Sequence, residues 1–301
     1  MNIQIIGASG FVGTNLLGYL RNSSQRIASV SLRGSDWRNF VERDAQVYIN
    51  LVGKAHDHSG VASWDDYLYV NVTLLKEIFE QFVNSSATLF IHVSSIAAIE
   101  EFESRTPLIE SNPSNPISYY GKSKRSAEEW LLRQILPDNK KLVILRPPMI
   151  HGPGDKGNLK NLFKFISKGF PYPLSAFENK RSFISIENFC YYIQEILRRY
   201  NIIESGVYHV SDGDALSTNE VVEIIRISMG KDMKKIVIPK CVITGIARLG
   251  DFIPIPLNTL RLRKLTSDLL VSNVKINNEL GIKKLPFDAR EGLRRTINSF
   301  K

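Results

Sequence analysis

The chain has 301 residues, 43% hydrophobic and 23% charged, with 39 Lys+Arg against 30 Asp+Glu and a formal net charge of +9. These proportions exclude a disordered, collagenous or coiled-coil chain. The length passes the ~250–300 residues at which a single core stops growing, so one large domain with an annexe, or two domains, is expected. Two cysteines, Cys190 and Cys241, are too few for a disulfide framework and wrong for a zinc site, which fits a reducing compartment. The basic excess falls in short clusters at Lys140-Lys141, Lys234-Lys235, Arg261 to Lys264 and Lys283-Lys284. No zinc finger or aromatic ribonucleoprotein motif accompanies them, so most read as solvated faces and no nucleic-acid partner is expected. The start, Met1 to Gly7, lacks a basic n-region, and no run reaches the ~18 apolar residues of a spanning helix. The longest, Ile236 to Ile253, is interrupted by Pro239, Lys240, Arg248 and Asp251. A cytoplasmic protein without membrane insertion is expected.

In chain order, strands are predicted at Ile3–Ile6, Ile27–Leu32, Gln46–Leu51, Leu89–Val93 and Leu142–Leu145, and helices at Phe11–Leu20, Asp65–Val83 and Lys122–Leu136. The strands are apolar at consecutive positions, which implies burial on both faces and hence a parallel, doubly wound α/β sheet. Beyond Arg146 the rhythm changes. Pro147 to Gly157 reads as a long irregular connection, followed by helices near Leu159–Lys168, Ile186–Arg199, Thr218–Met229 and Ala289–Asn298 and strands near Ser182–Ser185 and Val207–Val210. A division into 1–147 and 148–301 is expected, with about 182–210 returning to the sheet.

Gly7-Ala8-Ser9-Gly10-Phe11-Val12-Gly13 follows the first strand and opens a helix, the context a dinucleotide fingerprint requires. Gly7 serves the tight turn, Gly10 lets a pyrophosphate approach the backbone and Gly13 lets helix and strand pack closely, while the helix N-terminus favours phosphate. An NAD site usually places an acid at the end of the second strand. Here that position reads Val30-Ser31-Leu32-Arg33-Gly34, and Arg33 could face a 2′-phosphate, which favours NADP slightly over NAD.

Tyr120 and Lys124 lie four apart and share a helical face. An ammonium beside a phenol stabilises phenolate and so is expected to draw the tyrosine toward neutral pKa for proton exchange. Tyr119 has Ser123 at the same offset. Upstream, the strand Leu89–Val93 ends in Ser94-Ser95, at the carboxyl edge where doubly wound folds bind ligands. His56 and His58, two apart with no third ligand nearby, make a poor zinc site, and no metal is expected. Cys190 lies on an amphipathic helix and reads as core.

Together with Val47–Gly53, His92-Val93-Ser94-Ser95, Leu145 to Gly154, Arg181 to Ile184 and Glu291-Gly292-Leu293, these segments make the chain resemble the extended short-chain dehydrogenase/reductase superfamily, specifically its nucleotide-sugar epimerase/dehydratase family. The resemblance implies a Rossmann-like sheet with a smaller, discontinuous C-terminal substrate region. It implies Tyr120 as acid/base, Lys124 on the nicotinamide ribose and Ser95 on the reacting sugar oxygen. Gly7, Ser9, Gly10, Phe11, Val12, Gly13, Arg33, Leu51, Val52 and Gly53 would line the cofactor. Arg181, Asn158 and Arg261 would meet the nucleotide diphosphate end, with Lys54 and Asn71 flanking the cleft. Ile96 and Ala97 stand where dehydratase members carry Asp-Glu, so dehydration is disfavoured. The expected activity is at C4 of a nucleoside-diphosphate, UDP-linked hexose or N-acetylhexosamine for bacterial surface polysaccharide, as 4-epimerase or 4-keto reductase. A non-catalytic dinucleotide-binding redox sensor is the alternative, although such proteins usually lose the Tyr or Lys. The family habit is a homodimer built on Asp65–Val83 and Lys122–Leu136.

Overall fold

A computed structural model of the chain describes residues 1–21, 23–34, 36–55, 61–169, 172–230, 237–253, 255 and 257–301. The elements in order are β1 (Asn2–Ile6), α1 (Phe11–Leu20), β2 (Arg26–Val30), β3 (Val47–Asn50), α2 (Trp64–Leu68), α3 (Leu74–Val83), β4 (Leu89–Val93), α4 (Tyr119–Leu132) and β5 (Lys141–Arg146). They continue with β6 (Met149–His151), α5 (Asn158–Ser167), β7 (Phe183–Ser185), α6 (Ile186–Arg198), β8 (Gly206–His209), α7 (Thr218–Met229), α8 (Lys240–Leu249), α9 (Thr259–Thr266), α10 (Val274–Leu280) and α11 (Ala289–Asn298). Six strands form one parallel sheet in the order β2-β1-β3-β4-β5-β8, a Rossmann-like α/β fold.

Consecutive apolar strand residues serve two cores in alternation, because successive side chains leave a strand on opposite faces. Ile3, Ile5, Val47, Ile49, Leu89, Ile91, Val143 and Leu145 pack with α1 and α6 on one side. Ile6, Tyr48, Phe90, Leu142 and Ile144 pack with α3 and α4 on the other. Cys190 is buried on α6, where burial pushes its thiol up to about 12 and leaves it inert. The segment about 182–210 supplies α6 under the sheet and β8 at its edge. A third core joins α5, α7 and α11.

The structure departs from the sequence reading in four places. The helix expected over Asp65–Val83 is interrupted by a π-helical turn, Tyr69–Thr73. The helix expected from Lys122 to Leu136 runs from Tyr119 to Leu132, because Ser118 caps it earlier by accepting a hydrogen bond from the Gly121 N–H at 3.1 Å. The stretch from Pro147 to Gly157 is not wholly irregular, since β6 pairs in parallel with β7 in a separate two-stranded sheet. Helices α8, α9 and α10 had no counterpart in the periodicity. His56, Asp57, His58, Lys234 and Lys235 lie outside the described residues.

Candidate active site

The glycine loop joins β1 to α1 at the carboxyl edge of the sheet. Gly7 has φ +86°, and a Cβ there would come within 3.0 Å of the Val52 nitrogen, so only glycine makes this turn without strain. A Cβ on Gly13 would lie 2.5 Å from the Ala8 Cα, which is how closely α1 lies against the loop. Gly10 occupies the N-cap of α1 with no side-chain cap, so the opening N–H groups of the helix are left for an anion. Ser9 is exposed beside them, and Phe11 and Val12 pack against the α1–α6 core. The donors and the Cβ-free approach fit a dinucleotide pyrophosphate. Arg33 is exposed just past β2, and its side chain makes no ion pair among the described residues.

The second wall is Leu51-Val52-Gly53, just beyond β3. Asn50 holds it in place: its side-chain oxygen accepts from the Val52 N–H at 3.0 Å, and its amide nitrogen donates to His92 Nδ1 at 3.2 Å. A Cβ on Gly53 would sit 3.0 Å from Lys124 Nζ and 3.5 Å from Asn71 Oδ1. Lys124 and the cofactor wall are therefore neighbours. The Lys124 ammonium donates to the Val93 carbonyl at 3.0 Å, which fixes its aim. Burial draws it down to about 8, opposed by the Glu128 carboxylate.

Tyr120 is half-buried in the first turn of α4, and Ser95 caps the short 3-10 turn after β4 by accepting from the Ala97 N–H at 3.2 Å. The Tyr120 phenol faces Ser95, whose hydroxyl favours the ionised form. Ser94 turns the opposite way, buried and donating to Glu128. The expectation that Lys124 draws the Tyr120 phenol toward neutrality is corrected. Burial dominates and pushes the phenol above its ordinary value, with the Ser95 hydrogen bond opposing. Lys124 instead points at Val93, so Tyr120 stands as a phenol, a proton donor.

Two supporting residues, Glu101 and Glu128, had no assigned role from sequence, and a third, Asn71, was expected only to flank the cleft. Glu101 accepts from the Ser118 and Ile117 N–H groups at 2.9 and 3.3 Å and from the Ser118 hydroxyl, anchoring the start of α4. Asn71, turned inward by the π-helical turn, accepts from the Lys54 N–H at 2.8 Å and donates to Ser123 at 2.8 Å. Glu128, one turn beyond Lys124, binds Arg146 with two hydrogen bonds. Besides Asn71, Glu128 left a signal, its position four residues after Lys124 on the same helical face.

At the distal end the predicted residues disperse. The Arg181 Nη1 donates to the Lys264, Ser267 and Phe102 carbonyls at 3.0, 3.1 and 3.4 Å, so it holds the end of α9 in place. Asn158 is exposed at the start of α5, and Arg261 is exposed on α9 with its backbone N–H on Asn258. Arg263 pairs with Glu103 at 2.8 Å. Among the described residues, no His/Cys/Asp/Glu cluster could hold a metal.

A glycine loop, a Tyr-x-x-x-Lys helix and a serine at the end of β4 on one parallel sheet define a dinucleotide-dependent enzyme site. The chain belongs to the NAD dependent epimerase/dehydratase family, whose profile matches residues 3–211. It is 27% identical to a UDP-glucose 4-epimerase of Vibrio cholerae, over 99% of this chain and 95% of that one. It is 29% identical to the N-acetyl-alpha-D-glucosaminyl-diphospho-ditrans,octacis-undecaprenol 4-epimerase of Escherichia coli O157:H7, over 79% of this chain and 75% of that one. In fold it is similar to a UDP-glucuronic acid 4-epimerase of Bacillus cereus solved with UDP-glucuronic acid and NAD, at TM-score 0.78 and 16% identity, with 100% of this chain and 99% of that one covered.

Proposed function

We propose that the chain is a nicotinamide-dependent 4-epimerase of a hexose or N-acetylhexosamine carried on a diphosphate, with a UDP-linked sugar as the first substrate to test. The observation that carries this reading is the closeness of Lys124 to the cofactor wall, where a Cβ on Gly53 would sit 3.0 Å from its Nζ, with Tyr120 one turn before it on α4 and Ser95 just beyond β4. Residues 1–147 hold the cofactor in this reading, and 148–301 supply most of the sugar-nucleotide region. When bound, the nicotinamide supplies the hydride acceptor and donor. Tyr120, once its phenolic proton has been given up, would take the proton of the C4 hydroxyl and return it in the reverse step, Ser95 would donate to the same oxygen as charge develops on it, and Lys124 would hold the ribose. Ile96 and Ala97, the first of them buried and both without an ionisable group, leave nothing to remove water across C5–C6.

The reading extends to a cytoplasmic homodimer, and the relative from Escherichia coli supports a polyprenol as a second carrier for the diphosphate sugar. A 4-keto reductase using NADPH is the second reading, favoured by Arg33 at the end of β2 and the missing acid there. Incubating the protein with UDP-glucose or UDP-N-acetylglucosamine and NAD, and following the sugar C4 proton by NMR, is expected to show the galacto epimer. Oxidation of NADPH by a 4-keto sugar nucleotide without epimer formation would establish the reductase. Failure of both, with the cofactor still bound, would leave the redox sensor.

A further inference from the structure

Helix α8 is apolar over more of its circumference than the protein covers. Ile243 and Ala247 form the packed stripe, against Leu174 and Leu262. Beside it runs a second apolar stripe that meets solvent: Val242, Ile246 and Leu249 are 48, 40 and 58% exposed, and Phe252 and Ile253 just beyond the helix are 89 and 53% exposed. The offsets 242, 246 and 249 repeat at four and three residues, so these side chains share one helical face, and Phe252 and Ile253 continue it past the helix end. The remaining arc carries Lys240 and Arg248, both exposed. A contiguous apolar surface of this kind is uncommon on a soluble monomer and marks an interface.

The charge around it is one-sided. Among the described residues 237–264 stand five Lys/Arg, namely Lys240, Arg248, Arg261, Arg263 and Lys264, against Asp251, with Arg263 paired to Glu103. The acid, Asp251, accepts from the Thr259 N–H and hydroxyl at 3.0 and 2.9 Å. A short apolar face flanked by cations suits an anionic lipid surface, where apolar side chains enter the headgroup boundary and each cation is worth roughly fivefold in partitioning. The helix has only ten residues, too few to span a bilayer, so it lies on the surface.

We infer that the outer face of α8, continued by Phe252 and Ile253, is a docking surface for an anionic phospholipid bilayer. This goes beyond the proposed activity and does not depend on it. Its position would serve that activity, because α8 packs on Leu262 of α9 and the last turn of α9 is tied to Arg181 through the Lys264 carbonyl. Docking would therefore set the diphosphate end of the cleft beside the membrane, where a lipid-carried sugar diphosphate would be found.

Flotation of the full chain with vesicles of phosphatidylcholine containing 30 mol% phosphatidylglycerol tests this directly. The protein should rise with the anionic vesicles, stay in the load fraction with pure phosphatidylcholine, and be released by 0.5 M NaCl. Ile246→Glu/Leu249→Glu should reduce flotation at least about tenfold, with an unchanged unfolding midpoint and unchanged turnover of soluble UDP-sugar. Ile135→Glu, at a residue 99% exposed elsewhere, should leave flotation intact. Wild-type protein that fails to float, or floats equally on neutral vesicles, overturns the inference. So does light scattering that shows the double variant turning a dimer into a monomer while wild type ignores vesicles, since a second copy would then cover the face. Flotation without any sugar turnover would sink the proposed activity and leave the docking surface standing.

Discussion

Glu128 and Arg146 face each other in a two-pronged ion pair, Nε to Oε1 at 2.9 Å and Nη2 to Oε2 at 2.6 Å, with the side chains 0 and 3% exposed. The pair clamps α4, which carries Tyr120 and Lys124, to the end of β5, and the Ser94 hydroxyl adds the end of β4 to the same carboxylate. The helix, the two strand ends and so the distance between Tyr120 and Ser95 are held by one buried group.

Glu128→Ala is therefore expected to destabilise by about 3–5 kcal/mol, because it leaves the Arg146 charge buried and unpaired. Replacing both partners, Glu128→Leu/Arg146→Met, should recover much of that loss. Urea unfolding of the three proteins checks it. A double variant less stable than Glu128→Ala would show that the charge pair itself stabilises the fold.

Tyr120→Phe should keep the fold and cofactor binding and lower turnover on the order of 10²–10⁴-fold, the usual contribution of a positioned acid/base. The phenol is held above its ordinary pKa by burial, so the protein before ligands bind carries it protonated. Steady-state kinetics beside cofactor fluorescence titration separates the two effects. Near-normal kcat would remove Tyr120 from the chemistry.

Ser95→Ala should slow turnover more than it weakens substrate binding, because in the proposed reaction its hydroxyl would donate to the oxygen on which charge develops. Ser94→Ala should instead lower stability, since that hydroxyl donates to buried Glu128. Measuring kcat and urea midpoints for both variants distinguishes the roles. A crippled but stable Ser94→Ala with a silent Ser95→Ala would reverse the assignment.

Arg33→Ala tests cofactor choice. A guanidinium clamped on a 2′-phosphate is worth roughly 1.5–3 kcal/mol, about ten- to a hundredfold in affinity. NADPH binding should weaken by that factor while NADH binding stays unchanged. Equal losses in a fluorescence titration would place Arg33 elsewhere on the nucleotide and remove the support for a reductase.

The protein should lose stability between pH 7 and pH 5. Burial holds His92 well below its ordinary value and draws His151 and His209 down to about 4. A depressed folded pKa gives stability that is present above the unfolded value of about 6.5 and is lost as pH falls toward the folded one. Asp212, pushed up by burial to about 7, acts in the opposite sense. Its folded state holds the proton more tightly, so its contribution grows as pH falls from 7 toward 4. His151 and His209 are each worth about 2 kcal/mol over this interval, His92 acts in the same direction, and Asp212 offsets about as much as one of them, leaving a net loss. Urea midpoints at the two pH values check the sign, and Asp212→Asn should steepen the loss.

Local chemistry was legible in the amino-acid sequence. The Gly7–Gly13 turn, the Tyr120–Lys124 spacing, the strand end at Ser94-Ser95 and the doubly apolar strands each depend on residues within a turn or two of one another, where backbone geometry alone sets direction. What depends on distant segments was decided by tertiary structure. Asn71 turns inward only because α2 and α3 are joined by a π-helical turn under packing against α4, and Glu128 meets Arg146 and Ser94 only when α4 lies across β4 and β5. The aim of Lys124 at Val93, and with it the raised rather than lowered Tyr120 phenol, follows from burial that no spacing encodes. The run from Ile236 to Ile253 shows both limits. Its apolar composition was plain in the sequence, but which of its side chains the protein covers and which it leaves in solvent depended on where Leu174 and Leu262 come to lie.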